Sequence, residues 1–307
     1  MSNHAEAHHH EAKLGAALVS VMINILLILI KTVVGVLTGS IGILAEAAHS
    51  LLDLTASILA FLGIRWAGRP ADATHAFGHA KFENLSSWLQ MLLLGGTCGV
   101  ILYEAAARLI RGFTIEVTWY ALAVMGVAIV LDFGVSRYLH STAHHAGGSA
   151  ALEADALHFV SDMWGAIAVV IGLALAGLGV HAADPIAAIL VAIVIGGTAI
   201  RSGLRTTAIL LDKSPDQTIL KQVKAIVAAY PGVVDYHDLR ARQAGSQVLL
   251  DVCIELKKDT SLGRAHEISH ELSEEIRRRV PRVADALVHA EPACRYEPHE
   301  EVRHPGH

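Results

Sequence analysis

Two stretches of the sequence present the same pair of side chains at the same spacing. AEAAHSLLDLTAS carries His49 and Asp53, and HFVSD carries His158 and Asp162. Residues i and i+4 share a helix face, so each stretch offers an imidazole and a carboxylate together. Both stretches lie in long apolar runs, where an ionised side chain costs about 2.5–3.5 kcal/mol even on lenient insertion scales. Lys31 also lies inside such a run and could satisfy one carboxylate, but not two repeated pairs. Brought face to face, the pairs form an N2O2 ligand set, suited to tetrahedral Zn2+ and tolerable for Fe2+, Co2+, Cd2+ or Mn2+. An imidazole must be neutral to ligate and a carboxylate ionised, so binding the metal displaces protons. A site open in turn to each side of a membrane, holding either metal or protons, is an antiporter by linkage. Glu46, one turn before His49, is either a cation attractor at the outer mouth or a residue near the interface.

The elements that must carry these residues are membrane helices. The 307 residues are 53% hydrophobic and 5% aromatic, with a mean hydropathy of +0.47. That is too apolar for an ordinary soluble domain. Six runs are long enough to span a bilayer, near 14–37, 41–64, 85–107, 117–138, 155–179 and 184–208. Gly95, Gly96 and Gly99 in the third would let helices approach closely. The first run lacks the layout of a cleaved signal and is expected to be retained. Beyond residue 212 the apolar runs stop. KSPDQTILKQVKAIVAAYPG reads as a helix closed by Pro-Gly, VLLDVCIEL alternates like a half-buried strand, SLGRAHEISHELSEEIRRRV is amphipathic, and VADALVHAE is a short strand. The expected organisation is a polar stretch 1–13, a transmembrane domain 14–212, a small α+β domain 213–295 and a polar tail 296–307.

Lys13, Arg65, Arg69, Lys81, Arg137 and Arg205 fall on the side shared by both ends of the chain, and only Arg108 and Arg111 flank the other. The positive-inside rule then places both termini in the cytoplasm. A net charge of −5 without basic runs argues against nucleic-acid binding. Cys98, Cys253 and Cys294 are too dispersed for a disulfide framework or a CxxC pair. Among nineteen histidines, His4, His8, His9 and His10 crowd the N-terminal tail, and His140, His144 and His145 the loop after the fourth run. They are either disordered polar segments or weak, transient captors of metal.

TGSIGILAEAAHSLLD, RPADATHAFGHAKFENL, ALEADALHFVSD, ADPIAA and LLDKSP together resemble the cation diffusion facilitators over residues 12 to 295. The resemblance implies a six-helix transmembrane bundle with a metallochaperone-like αββαβ cytoplasmic domain. It also implies a homodimer in the bacterial inner membrane that exports divalent metal in exchange for protons. It assigns the transport site to His49, Asp53, His158 and Asp162. The family's iron/zinc efflux branch usually has Asp where His49 stands. Imidazole in place of carboxylate softens the site and favours Zn2+ over Mn2+. Asp72, His75 and His79 in DATHAFGH match the family's loop metal site, and Lys81 and Asp212 match a charge pair that interlocks spans and soluble domain.

In that domain His237 and Asp238, His266, and His289 with Glu291 resemble the family's cytoplasmic two-zinc site. Cys253 stands where a His ligand is often found, and Glu291 where Asp is usual. Cys253 is either a thiolate ligand or a small buried hydrophobe, and the site holds either one metal or two. The expectation is a zinc exporter rather than an enzyme, because four protein ligands leave no open coordination position. The alternatives are the same fold moving Fe2+, Co2+, Cd2+ or Mn2+, and a membrane metal sensor that does not transport.

Overall fold

A computed structural model describes residues 2–38, 41–111, 119–177 and 183–293. Six long helices come first: α1 Ser2–Thr38, α2 Ile41–Ala67, α3 Lys81–Arg111, α4 Trp119–His145, α5 Ala150–Gly177 and α6 Ala183–Leu210. All but α5 are long and apolar enough among the described residues to cross a membrane. The α5 helix carries Glu153, Asp155 and Asp162, and it is sheltered by its neighbours. Leu152 and Phe159 of α5 join Ala16, Ile64 and Leu139 in one buried cluster. Ala154 joins Met91, Leu94, Cys98 and Ile195 in a second. Large apolar side chains such as Met22, Val100, Val130, Val194 and Leu204 point outward, as lipid contact requires.

The bundle departs from sequence expectation in four places. First, α1 starts at Ser2, so the His-rich segment is a helical extension of the first span rather than a disordered tail. Its Ala, Glu and Lys residues are good helix formers. Second, His140, His144 and His145 lie on the last turns of α4, not in a loop. Third, Lys13, counted from sequence only as a basic residue at a span end, is buried 3.5 Å from Glu83 and donates to the Gly148 carbonyl at 3.0 Å. Fourth, a Cβ at Gly95, Gly96 or Gly99 would meet nothing within 4 Å. Met91, Leu94 and Cys98 form the packed stripe of α3, and these glycines lie off it. Close approaches among the described residues are at Gly63, where a Cβ would fall 2.1 Å from Ser86 Oγ of α3, and at Gly68, where it would fall 2.2 Å from the His10 ring of α1.

The chain divides between Leu211 and Asp212. The second unit runs α7 Gln217–Ala228, β1 Val233–Ala244, β2 Gln247–Leu256, α8 Leu262–Arg279 and β3 Val283–Pro292. This is the αββαβ order. The sheet is β1-β2-β3, with β1 and β2 antiparallel and β2 and β3 parallel. Asp216 caps α7 through the Thr218 amide, and Ser261 caps α8, each satisfying an otherwise orphaned donor. Val248, Leu250, Val252, Ile254 and Leu256 are all buried. They meet Val223 and Val227 of α7 and Ile268, Leu272 and Ile276 of α8, so both helices cover one face of the sheet. Residues 294–307, Cys294 included, lie outside the described residues.

Candidate metal centre

Helices α2 and α5 bring Asp53, His158 and Asp162 together. Asp53 Oδ1 lies 2.9 Å from His158 Nε2, and Asp162 Oδ2 lies 3.9 Å from the same nitrogen. Ligand atoms of all three fall within 4.8 Å of one another. Asp53 and His158 are buried. In this arrangement Nε2–H donates to Asp53, and the proton sits between two carboxylates, where a cation would sit. His158 Nδ1 is buried without a hydrogen-bond partner. His49 lies on α2, but its side chain and that of Glu46 are outside the described residues.

Two further carboxylates line this part of the bundle, and spacing alone did not reveal them. Asp155, one turn before His158 on α5, is fully buried. Its Oδ1 accepts from Ser57 Oγ at 2.9 Å. Ser57 in turn accepts from Ser20 Oγ at 2.7 Å and Asn24 Nδ2 at 2.8 Å. Ser57 follows Asp53 by one turn, so this network staples α1, α2 and α5 beside the ligands. Asp132 of α4 is also buried and interacts electrostatically with Lys31, Asp53 and His158. Lys31 donates to Ser50 Oγ at 2.8 Å. The available signal was one acidic residue inside an otherwise apolar run, which marks function by default. Neither has a repeated partner in the sequence.

Between α2 and α3, Asp72 organises an Asx turn. Its Oδ1 accepts from Thr74 N, Thr74 Oγ1 and His75 N at 2.8, 2.7 and 2.7 Å. The Thr74 hydroxyl, then the backbone amides of His75 and Thr74, hold this carboxyl at about 2, below the ordinary 3.8. His79 Nδ1–H donates to the Pro70 carbonyl at 3.1 Å, which leaves Nε2 3.4 Å from Asp72 Oδ2. A histidine held this way by a backbone carbonyl presents its other nitrogen as a ligand. His75 lies 3.7 Å from Asp72. Ligand atoms of Asp72, His75 and His79 therefore lie within 4.8 Å of one another. Next to them Lys81 donates to the Leu210 carbonyl at 3.2 Å. Asp212, in the second unit, accepts from Arg242 at 3.3 Å.

In the second unit the strand register sets the cluster. His237 pairs with Cys253 across β1 and β2, and Cys253 pairs with His289 across β2 and β3. All three sit on the sheet face turned away from the helices. A register shift follows His237, and Asp238 adopts φ 51. Such a bulge re-aims side chains, and Asp tolerates the left-handed region better than most residues. His237, Asp238 and Cys253 come within 4.8 Å. Glu291 reaches His237 at 3.6 Å and His289 at 3.2 Å. Burial, then the charges of Glu291 and Asp238, push the Cys253 thiol up. Imidazole, thiol and carboxylate donors in this geometry fit a divalent zinc-like ion. His266 is not brought to the cluster within the chain. The apolar stripe of α8 faces the sheet, and His266 is exposed on the helix.

Two family models match the chain: the cation efflux transmembrane domain over residues 17–211, and the cation efflux protein, cytoplasmic domain, over residues 215–293. A cation-efflux pump FieF of Shewanella oneidensis is 36% identical over 83% of this chain and 86% of its own length. A FieF of Citrobacter koseri is 32% identical over 94% and 95%. A solved structure, MamM-CTD 215-293, is 23% identical over 25% of this chain and 98% of its own. Its TM-score is 0.25, too low to carry an inference.

Proposed function

The chain belongs to the cation diffusion facilitator family of cation efflux transporters, and we propose that it is a proton-coupled antiporter carrying Zn2+ out of the cytoplasm. Zinc is bound at mid-bilayer by His49, Asp53, His158 and Asp162. One observation carries the reading. His158 Nε2 faces Asp53 Oδ1 at 2.9 Å and Asp162 Oδ2 at 3.9 Å, so one nitrogen holds either a proton or the metal. Exchange of the two is then forced by chemistry rather than added to it. Rocking of α2 and α5 against their neighbours exposes the site to each side in turn, as in transporters with midplane ligands. The chain works as a homodimer in the inner membrane, with both termini cytoplasmic.

The loop residues Asp72, His75 and His79 hold a second ion. In the cytoplasmic domain, His237, Asp238 and Cys253 hold another, with Glu291 linking them to His289 and His266 contributing from elsewhere in the dimer. The test is zinc uptake into proteoliposomes under an imposed pH gradient. Uptake that follows the gradient supports the reading, and uptake that ignores it contradicts proton coupling. His49→Asp should widen transport towards Fe2+, Cd2+ and Mn2+. Unchanged selectivity would remove His49 as the selector.

A further inference from the structure

Two histidine-bearing segments, far apart in sequence, end in one place. The N-terminal extension of α1 runs beside the C-terminal turns of α4. Between them lies a crevice of about 320 Å³ lined by His8, His9, Tyr138, Ser141, Thr142 and His145. We propose that this crevice is a further metal site, taking a late first-row divalent ion such as Zn2+, Co2+ or Ni2+ on His8, His9 and His145.

Four features argue for it. Among the described residues the lining has imidazoles, hydroxyls and two alanines but no carboxylate, a donor set that suits zinc, cobalt or nickel rather than calcium, magnesium or manganese. His145 Nδ1–H donates to the Ser141 carbonyl at 2.7 Å. This fixes the tautomer and leaves Nε2 as a free lone pair, the usual support for a ligating histidine. His8 and His9 ride on a continuous helix from Ser2 to Thr38, so reaching the ion costs little backbone ordering. Where α4 ends, Gly147 adopts φ 78, and a Cβ there would lie 3.7 Å from His9 Nδ1. The turn thus closes onto that ring.

The imidazoles are not gathered to bonding distance in the metal-free chain: they are absent from the clusters whose ligand atoms lie within 4.8 Å. His8 and His9 are exposed, so their side chains can rotate towards the held His145 ring, and waters complete the shell. A site assembled this way binds more weakly than a preformed one. On the side proposed as cytoplasmic, it gives incoming metal a holding place ahead of the intramembrane ligands.

The proposal does not depend on transport, and binding to the full-length protein in detergent tests it. Co2+ absorption and Ni2+ equilibrium dialysis are compared for wild type, for H8A/H9A/H145A and for H140A/H144A. His140 and His144 pack ring to ring at 4.5 Å and do not line the crevice. The triple variant should lose one metal equivalent, and the H140A/H144A variant none. H145Q alone should weaken that equivalent at least about tenfold while leaving the rest. An unchanged triple variant would overturn the proposal. An equal loss in H140A/H144A would also overturn it, since histidine richness rather than the crevice would then hold the metal.

Discussion

Ser57→Ala should damage the transporter although Ser57 is no ligand. Ser57 accepts from Ser20 at 2.7 Å and Asn24 at 2.8 Å and donates to Asp155 at 2.9 Å. The substitution removes all three bonds from a fully buried position. Interhelical hydrogen bonds in lipid average about 0.6 kcal/mol, so three give about 2 kcal/mol. Stranding a buried acceptor adds about 1–3 kcal/mol when nothing replaces its donor. Ser20 also reaches the Asp155 carboxylate and can take over. The smaller figure therefore governs, and the expected loss is about 2–3 kcal/mol. Ser57 and Asp155 each lie one turn from a proposed ligand, Asp53 and His158, on the two helices that carry the proposed site. Loosening the staple should weaken zinc binding about tenfold, the lower end for residues that support ligands. Thermal unfolding in detergent and zinc titration of the same preparation read both effects. Unchanged stability and affinity would refute the claim that this network positions the site. Lost stability with unchanged affinity would confine it to folding.

Asp72 stays ionised far into acid. Its carboxyl is held at about 2, against an ordinary 3.8, so its stabilising contacts are fully present above about pH 4 and lost as pH falls through about 2. Asp72 is therefore available to a metal throughout the mild-acid range, and Asp72→Asn should weaken metal binding at this loop, read by titration; unchanged affinity would contradict this. In the cytoplasmic domain the raised Cys253 thiol must lose its proton to ligate. Metal binding should then release more protons in wild type than in Cys253→Ala, read by calorimetry in buffers of different ionisation enthalpy. Replacing His237 and His289 together by Ala should lower the domain's metal stoichiometry, and unchanged stoichiometry would sink the assignment. Leu272→Ala opens a cavity at a fully buried position and should cost about 2–5 kcal/mol. Amide exchange in β2 should accelerate accordingly, and unaltered protection would show that this core is not packed as described.

The six helices could be read from hydropathy, because span length and apolarity are fixed by the bilayer. Strand β2 was legible for a similar reason: one face is buried, so Val248 to Leu256 must alternate. The His/Asp pairs proposed for transport stood out because a charged pair in lipid is costly and occurs twice. Other features depended on packing that no local pattern encodes. The start of α1 is polar helix former, without the apolar period that marks a helix in sequence. Nothing around His140 to His145 is apolar enough to extend a span, yet α4 continues to His145. Glycine spacing suggested close approach on α3, but which stripe faces a neighbour is decided by Met91, Leu94 and Cys98. Asp132 and Asp155 were overlooked because each is a single carboxylate. Placing His266 required knowing which face of α8 the sheet would cover.

If the metal passes by the His/Asp pairs of α2 and α5, transport must fail when one of their carboxylates is removed. Zinc uptake into proteoliposomes under a pH gradient, compared between wild type and Asp162→Ala, tests it most directly, with Fe2+, Mn2+, Co2+ and Cd2+ run alongside. Asp162 Oδ2 lies 3.9 Å from His158 Nε2, so removing it strips one of the charges that the ion and the proton share. Zinc-dominant uptake is expected in wild type, and its loss in the variant. Uptake surviving in Asp162→Ala would show that the ion travels elsewhere.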